Sequence, residues 1–396
     1  MDGRLLLLVA AALTVPGAHA RVPLGAYVVR LQERLSPVDA VTHMSNLFFE
    51  PESLRAGEHA DSAGRAVLTR VAGHDVAIER RWSDGAWHYR VDRDADGDLA
   101  NETWLSFTRV GSLLAVATVE LAVPGAQVPR VVMRVLTSAD GYVYGRAAQE
   151  WVGTLRVSGT KPARVLIRPA GRMTPLPAAG VPYDLLIDRD GDGTFRDVAD
   201  STPTGQPRPT ELVRPDQPFR VGEAVLSIHS LQLKTGRLEL RDDPARTGVS
   251  AGLLAPAIAS HLLDGTPVSF AQLRGKPAVI EFWSVHCPYS EQVRPQLASL
   301  AAQFGDRVQW VAMAREADED TLRQHLRAHP MAATPWRHVA DTWALYNPST
   351  ITPLFVVVDA DGRIRGIEPG ARALAYLAAE LRALIDESGT LPSSRH

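Results

Sequence analysis

The chain has 396 residues, 45% apolar and 22% charged, which exceeds one typical domain and matches a globular protein able to bury real cores. Its formal net charge of −3, with Lys and Arg scattered, offers no basic field for phosphates. Neither nucleic acid nor an anionic membrane surface is therefore expected as a partner. The single cysteine, Cys287, cannot form an intramolecular bridge, so stability must come from packed cores, with bound ions as an optional addition.

In chain order, Arg4, an apolar run over 5–15, Pro16-Gly17 and the small-residue site Ala18-His19-Ala20 read as a secretory signal peptide over 1–20. The run falls short of the roughly 20 residues that cross a bilayer. No cysteine follows the signal, which excludes a lipoprotein-type anchor. The expectation is a protein exported to the periplasm that spans no membrane after cleavage.

Residues 21–242 carry short alternating apolar runs broken by Gly, Pro and Asp, as in Val131-Val132-Met133-Arg134-Val135-Leu136. That pattern predicts a mostly β, sandwich-like region, either one sandwich or two small units. A weak repeat lies within it. Asp92-Arg93-Asp94-Ala95-Asp96-Gly97-Asp98 and Asp188-Arg189-Asp190-Gly191-Asp192-Gly193 each follow a candidate strand.

Asp92, Asp94, Asp96 and Asp98 in the loop 92–103, and Asp188, Asp190 and Asp192 in the loop 188–200, reproduce the start of an EF-hand-type calcium loop. Alternate carboxylates there converge on a hard cation, and Gly permits the sharp turn. The twelfth position holds Thr103 or Ala199 in place of the bidentate Glu, so Glu102, Asp197 or Asp200 would have to substitute. The alternative is a pair of solvated acidic turns. If an ion binds, the expectation is structural calcium, with no redox cofactor.

Residues 243–254, rich in Asp, Pro, Arg, Gly and Ser, read as a linker. The pattern of 255–387 then predicts strand 278–283, helix 291–304 kinked at Pro295, strand 308–313, helix 318–328, strands 354–358 and 364–367 about Ala360-Asp361-Gly362, and helix 371–385. An α/β domain follows. Residues 388–396 read as a disordered tail.

Cys287 falls between an apolar strand and a helix. Unpaired N–H groups and the helix dipole there favour thiolate over thiol. Pro288 suits the first helical turn, where its missing N–H costs nothing. His325 and His329 lie four apart on or beyond a helix and read as surface residues, with no acidic third ligand nearby.

Four motifs in order resemble a thioredoxin-superfamily domain of the exported, redoxin-related TlpA-like kind. They are Ala255-Pro256 with Leu263-Asp264-Gly265-Thr266-Pro267-Val268 and Leu273-Arg274-Gly275-Lys276-Pro277; Glu281-Phe282-Trp283 before the cysteine; Thr352-Pro353 before an apolar strand; and Asp359-Ala360-Asp361-Gly362-Arg363-Ile364. The resemblance implies that Cys287 is the nucleophile and that Thr352 and a cis Pro353 hold a substrate backbone beside it. It makes Glu281 a buried acid suited to moving a proton and packs Trp283 under the motif at the substrate site. His286 stands where a positive imidazole would favour the thiolate.

Ser290 departs from the dithiol members, which have a resolving cysteine there. Cys287-Pro288-Tyr289-Ser290 also resembles monothiol glutaredoxin motifs. The resemblance thus implies monothiol exchange or isomerisation with protein or small thiols and disulfides, an external thiol completing the cycle. Two alternatives remain: a non-catalytic thioredoxin-fold binding module, and a thiol peroxidase. The peroxidase pattern is incomplete, because Ile280 and Ser284 replace its Pro and Thr.

Overall fold

The computed structural model describes residues 25–35, 64–71, 74–110, 114–122, 130–138, 143–169, 183–196, 199–202, 204–348, 350–370 and 373–390. The expected signal peptide and the residues beyond 390 lie outside that set. No helix among the described residues is long and apolar enough to cross a membrane.

Among the described residues the N-terminal region is β apart from a 3-10 turn at Leu233–Thr235, and its buried apolar side chains form two cores. Ala26–Arg30 pairs with Arg237–Asp242 in a four-stranded sheet, while Gln32–Leu35 pairs with Gln149–Leu155 in a five-stranded sheet. One short stretch of chain therefore joins both layers of a sandwich, with Leu31 at the corner. The layers meet over Val29, Trp151, Val165, Ile167, Leu185, Ile187, Phe219 and Leu240. Gly153 is required at this crossing, because a Cβ there would lie 2.7 Å from the Arg30 carbonyl.

A second β unit is inserted between Leu35 and Gln149. Its three-stranded and four-stranded sheets enclose Val76, Ile78, Tyr89, Val91, Val119, Leu121, Met133 and Val135. Buried Val119 and Leu121 flank exposed Glu120, the alternation expected of a sheet with one buried face, whereas residues 132–136 are buried throughout, Arg134 included.

The C-terminal domain is a five-stranded sheet with helices on its faces. Its elements are β1 (Ala278–Trp283), α1 (Pro288–Phe304), β2 (Gln309–Ala314), α2 (Glu319–Ala328), β3 (Thr334–Trp336), α3 (Ala340–Tyr346), β4 (Leu354–Val358), β5 (Ile364–Pro369) and α4 (Ala373–Thr390). The strand order is β3-β2-β1-β4-β5, with β1–β2 and β2–β3 parallel and the other pairs antiparallel.

All six residues of β1 are buried, because both faces are covered. Ala278, Ile280 and Phe282 pack with Trp343 and Tyr346 of α3, while Val279 packs with α1 and α4. The periodicity did not anticipate β3 or α3. Their 3 and 7 residues are too short to show a period, and Pro335 sits within β3, as an edge strand tolerates. Helix α1 starts at Pro288 and runs through Pro295. Helix α4 continues to Thr390, past the expected start of a disordered tail at 388.

Residues 243–254 are not a free linker. Val249 and Leu253 are buried, Gly252 N donates to Ile364 O at 2.7 Å, and Ile364 N donates to Leu253 O at 2.9 Å. Two apolar residues in a polar stretch are enough to seat it against β5.

The five-stranded sheet of the sandwich turns its other face to the C-terminal domain. Leu166, Leu186 and Leu212 join the core that contains Ile280, Phe282 and Trp336. This explains the unbroken run Leu185-Leu186-Ile187, since a strand covered on both sides has no need to alternate. Glu368 of β5 is fully buried at this contact. Its two oxygens accept the N–H groups of Ala199 at 3.0 Å and Thr210 at 3.1 Å. Burial pushes the carboxyl up to about 8, against the N–H groups of Thr210 and Ala199 and the charge of Arg189.

An amide at 368 keeps one acceptor and turns an NH2 toward the second N–H. Glu368→Gln is therefore expected to cost about 1–3 kcal/mol, the usual penalty for an unsatisfied buried donor. Urea unfolding of the full chain at pH 9, above the value of about 8 at which this carboxyl ionises, measures it. An unchanged midpoint would show that Glu368 does not pin the two parts together.

Candidate functional site

Strand β1 and helix α1 meet at Cys287. Ser284 Oγ donates to Glu316 Oε1 at 2.5 Å, and Val285 N donates to Glu316 Oε2 at 3.2 Å, so the carboxylate following β2 clamps the turn into the cysteine. Cys287 is the N-cap of α1, and its carbonyl accepts the N–H groups of Ser290 at 3.0 Å and Glu291 at 3.3 Å. Its side chain thus stands at the helix N-terminus, where the dipole favours an anion.

Facing it is the loop before β4, whose Thr352-Pro353 bond is cis. Cys287 Sγ donates to Thr352 O at 3.2 Å. Buried Asn347 braces this loop: its amide nitrogen donates to Ile351 O at 2.7 Å, and its amide oxygen accepts Ile351 N at 3.0 Å.

Burial pushes the Cys287 thiol up, but hydrogen bonds involving Thr352, Ser290 and the Tyr289 backbone outweigh it and hold the thiol below its ordinary value. The contact with the Thr352 carbonyl favours the thiol, whereas the N–H and hydroxyl donors near Ser290 favour the thiolate. Ser290 is completely buried, and its Oγ makes no hydrogen bond of ordinary geometry, which leaves it beside the sulfur as a donor without competing partners.

Glu281 is 4% exposed, and burial pushes it up to about 7, with Arg294 opposing and Glu291 adding to the rise. Trp283 is a correction. It is completely buried, with the Arg294 guanidinium 4.5 Å from its ring centroid, and so cannot touch a substrate. The large side chain that does stand exposed beside the cysteine is Tyr289, at 62%.

The structure brings Cys287, Ser290, Thr352 and Pro353 together, while Glu281 lies in the dry interior of β1. His286 is exposed, and among the described residues its ring makes no hydrogen bond to the sulfur; its backbone N–H instead donates to Ser284 Oγ at 3.1 Å. His325 is not a surface residue. Its side chain is 15% exposed, its ring stacks on that of His329 at 4.7 Å, and its Nε2 lies 2.9 Å from Glu291 Oε1. Glu291 and Glu316 went unnoticed in the sequence because each reaches its partner from another element, and Asn347 because the helix it ends is too short to show a period.

In the aspartate loops, carboxylate oxygens of Asp92, Asp94 and Glu102 lie within 4.8 Å of one another, as do those of Asp188, Asp190 and Glu211. Glu102 is one of the expected substitutes, whereas Glu211 comes from the neighbouring strand segment. Asp96, Asp98 and Asp192 stand outside these trios. Asp96 accepts from Asp98 N at 2.7 Å, Asp98 from Ala100 N at 2.8 Å, and Asp192 from Arg196 at 2.6 Å.

Residues 251–367 match the AhpC/TSA family. The soluble secreted antigen MPT53 of Mycobacterium tuberculosis (strain ATCC 25618 / H37Rv) is 34% identical over 101 residues, 25% of this chain and 57% of that protein. The chain thus spans little more than half the length of the curated relative. A solved secreted disulfide oxidoreductase of M. tuberculosis, homologous to E. coli DsbE, is 29% identical with a TM-score of 0.29, covering 32% of this chain and 96% of that one. MTB DsbF, in mixed oxidised and reduced forms, is 25% identical with a TM-score of 0.28, covering 32% and 94%. The C-terminal domain of the present chain is a thioredoxin-superfamily domain.

Folding raises the Glu281 carboxyl from its ordinary 4.5 to about 7, so the folded chain holds this proton across that window while the unfolded chain has lost it. Stability from this group is present in acid and falls as pH rises from 4.5 toward 7, by about 3 kcal/mol. Glu281→Gln should remove that part of the slope when urea midpoints are compared at pH 5 and pH 8. Equal slopes in the two proteins would show that Glu281 is not the titrating group.

Proposed function

We propose that the protein is an exported monothiol exchange protein that acts on disulfides through Cys287 and draws its resolving thiol from outside the chain. The observation that carries this reading is Cys287 Sγ at the N-terminus of α1, 3.2 Å from Thr352 O, with buried Ser290 in place of a second thiol. Export is supported by the signal-like N-terminus and by the secreted description of MPT53.

The thiolate attacks one sulfur of a substrate disulfide. The substrate S–S bond breaks, an Sγ–S bond forms, and the departing sulfur leaves as a thiolate that takes a proton. Glu281, raised to about 7, can exchange protons near neutral pH and is suited to buffer that step. An external thiol, or a second cysteine of the substrate, then attacks the mixed disulfide and returns Cys287 to the thiolate. Electrons are conserved within the exchange, so no cofactor enters. The substrate strand lies along the Thr352-Pro353 loop, and Tyr289 offers it an apolar surface.

Ser284 bears on the peroxidase alternative. Its hydroxyl is committed to Glu316, and it stands where a peroxidase would present a threonine. The intact loop beside a lone thiol also supports the second reading, a peptide-binding module without turnover.

Titration of Cys287 with a thiol-reactive probe should give a pKa below the free value of about 8.5. Glutathione-dependent reduction of a mixed disulfide should proceed and be lost in Cys287→Ser. Ser290→Cys should release its mixed disulfide without added thiol. A pKa at or above about 8.5 with no turnover would leave only the binding module.

A further inference from the structure

The two aspartate loops are built alike but neutralised differently. Gly97 N donates to Asp92 Oδ2 at 3.0 Å and Gly193 N to Asp188 Oδ2 at 3.1 Å. Asp96 N reaches Asp94 Oδ1 at 3.3 Å, and Asp192 N reaches Asp190 Oδ1 at 3.2 Å. In both, a glutamate from beyond the turn accepts the N–H of the loop's second residue: Glu102 that of Arg93 at 2.6 Å, Glu211 that of Arg189 at 3.0 Å.

The second loop already holds a cation of its own. Arg196 lies 2.5 Å from Asp190 Oδ2, 2.6 Å from Asp192 Oδ2 and 3.0 Å from Glu211 Oε1, so one guanidinium sits among the acids. Both oxygens of Asp188 are satisfied as well, by Gly191 N at 2.7 Å and Gly193 N at 3.1 Å.

In the first loop the matching position is Ala100, counted from Asp92 as Arg196 is from Asp188. Among the described residues no Lys or Arg pairs with Asp92, Asp94 or Asp96. Arg93 is engaged by Glu102 at 2.6 Å and Thr103 at 2.6 Å. Asp92 is 1% exposed, and its enclosed Oδ1 makes no hydrogen bond of ordinary geometry, the Ala95 N–H being its weakly placed neighbour, in a side chain that joins Asp94 and Glu102 in one cluster. Arg93 offsets the charge of Glu102 alone, and the buried oxygen of Asp92 facing the Asp94 carboxylate remains costly unless a further positive charge completes the group.

We infer that the first loop, through Asp92, Asp94 and Glu102, binds one hard divalent cation, calcium being the ion such flexible oxygen sets suit, whereas Arg196 takes that place in the second loop. The ion would brace the inserted β unit at the end of its core, since Asp92 N donates to Ala77 O at 2.9 Å and Ala122 N to Arg93 O at 2.7 Å. Binding only the folded form, it raises the stability of that unit.

Isothermal titration of the full, metal-stripped chain with calcium chloride, and separately with magnesium chloride, tests this. One calcium per chain is expected. Binding should be lost in Asp94→Asn, whose parent side chain is exposed, and in Ala100→Arg, which gives the first loop the cation of the second. It should persist unchanged in Asp190→Asn. Circular dichroism of each variant checks the fold, and two variants of different chemistry keep the result readable if one misfolds. Two bound ions, no heat at millimolar calcium, a preference for magnesium, or calcium binding that survives Ala100→Arg would overturn the assignment.

Discussion

Burial of β1 on both faces is the constraint on which the C-terminal domain depends. Ala278, Ile280 and Phe282 fill one core and Val279 the other, so the strand is held from both sides and ends abruptly at the turn clamped by Glu316. The next polar sulfur therefore emerges at the start of α1, where unpaired N–H groups wait for an anion. The same burial places Glu281 in a dry environment and raises its carboxyl to about 7. It also makes Trp283 a floor for the site, covered by Arg294 and His325, and unavailable to a ligand.

The N-terminal sandwich is tied to this domain through the reverse face of its five-stranded sheet. Leu166, Leu186 and Leu212 supply the apolar contact, and Glu368 satisfies two backbone donors that would otherwise be stranded in it. Apolar area supplies most of the free energy of such a contact, while a polar group with two fixed donors sets its register. Residues 243–254 add backbone pairing to β5, so the segment between the parts belongs to the contact as well.

The aspartate loops show how little sequence separates two electrostatic solutions. Each turn converges its carboxylates through matching backbone hydrogen bonds, except that only Asp188 has its second oxygen held, by the Gly191 N–H. Loop 188–200 closes its ring of acids with Arg196, and loop 92–103 has Ala100 at that position. Guanidinium and divalent cation answer the same Coulombic demand, but only the first is carried by the chain itself.

Much of this was determined by local sequence. The alternation in strands such as Val131-Val132-Met133-Arg134-Val135, the strand-to-helix junction at Cys287, the proline loop at 352–353 and both aspartate turns depend on neighbours a few residues apart, because backbone hydrogen bonding and side-chain period are local. The tertiary structure alone decided which distant groups meet. Glu211 joins Asp188 because Leu185 pairs with Val213 across the sheet, and Glu316 reaches Ser284 because β1 and β2 run parallel. The expected linker and the substrate-binding role expected of Trp283 failed for the same reason. Whether a side chain is covered is set by the elements that close over it, and these come from elsewhere in the chain.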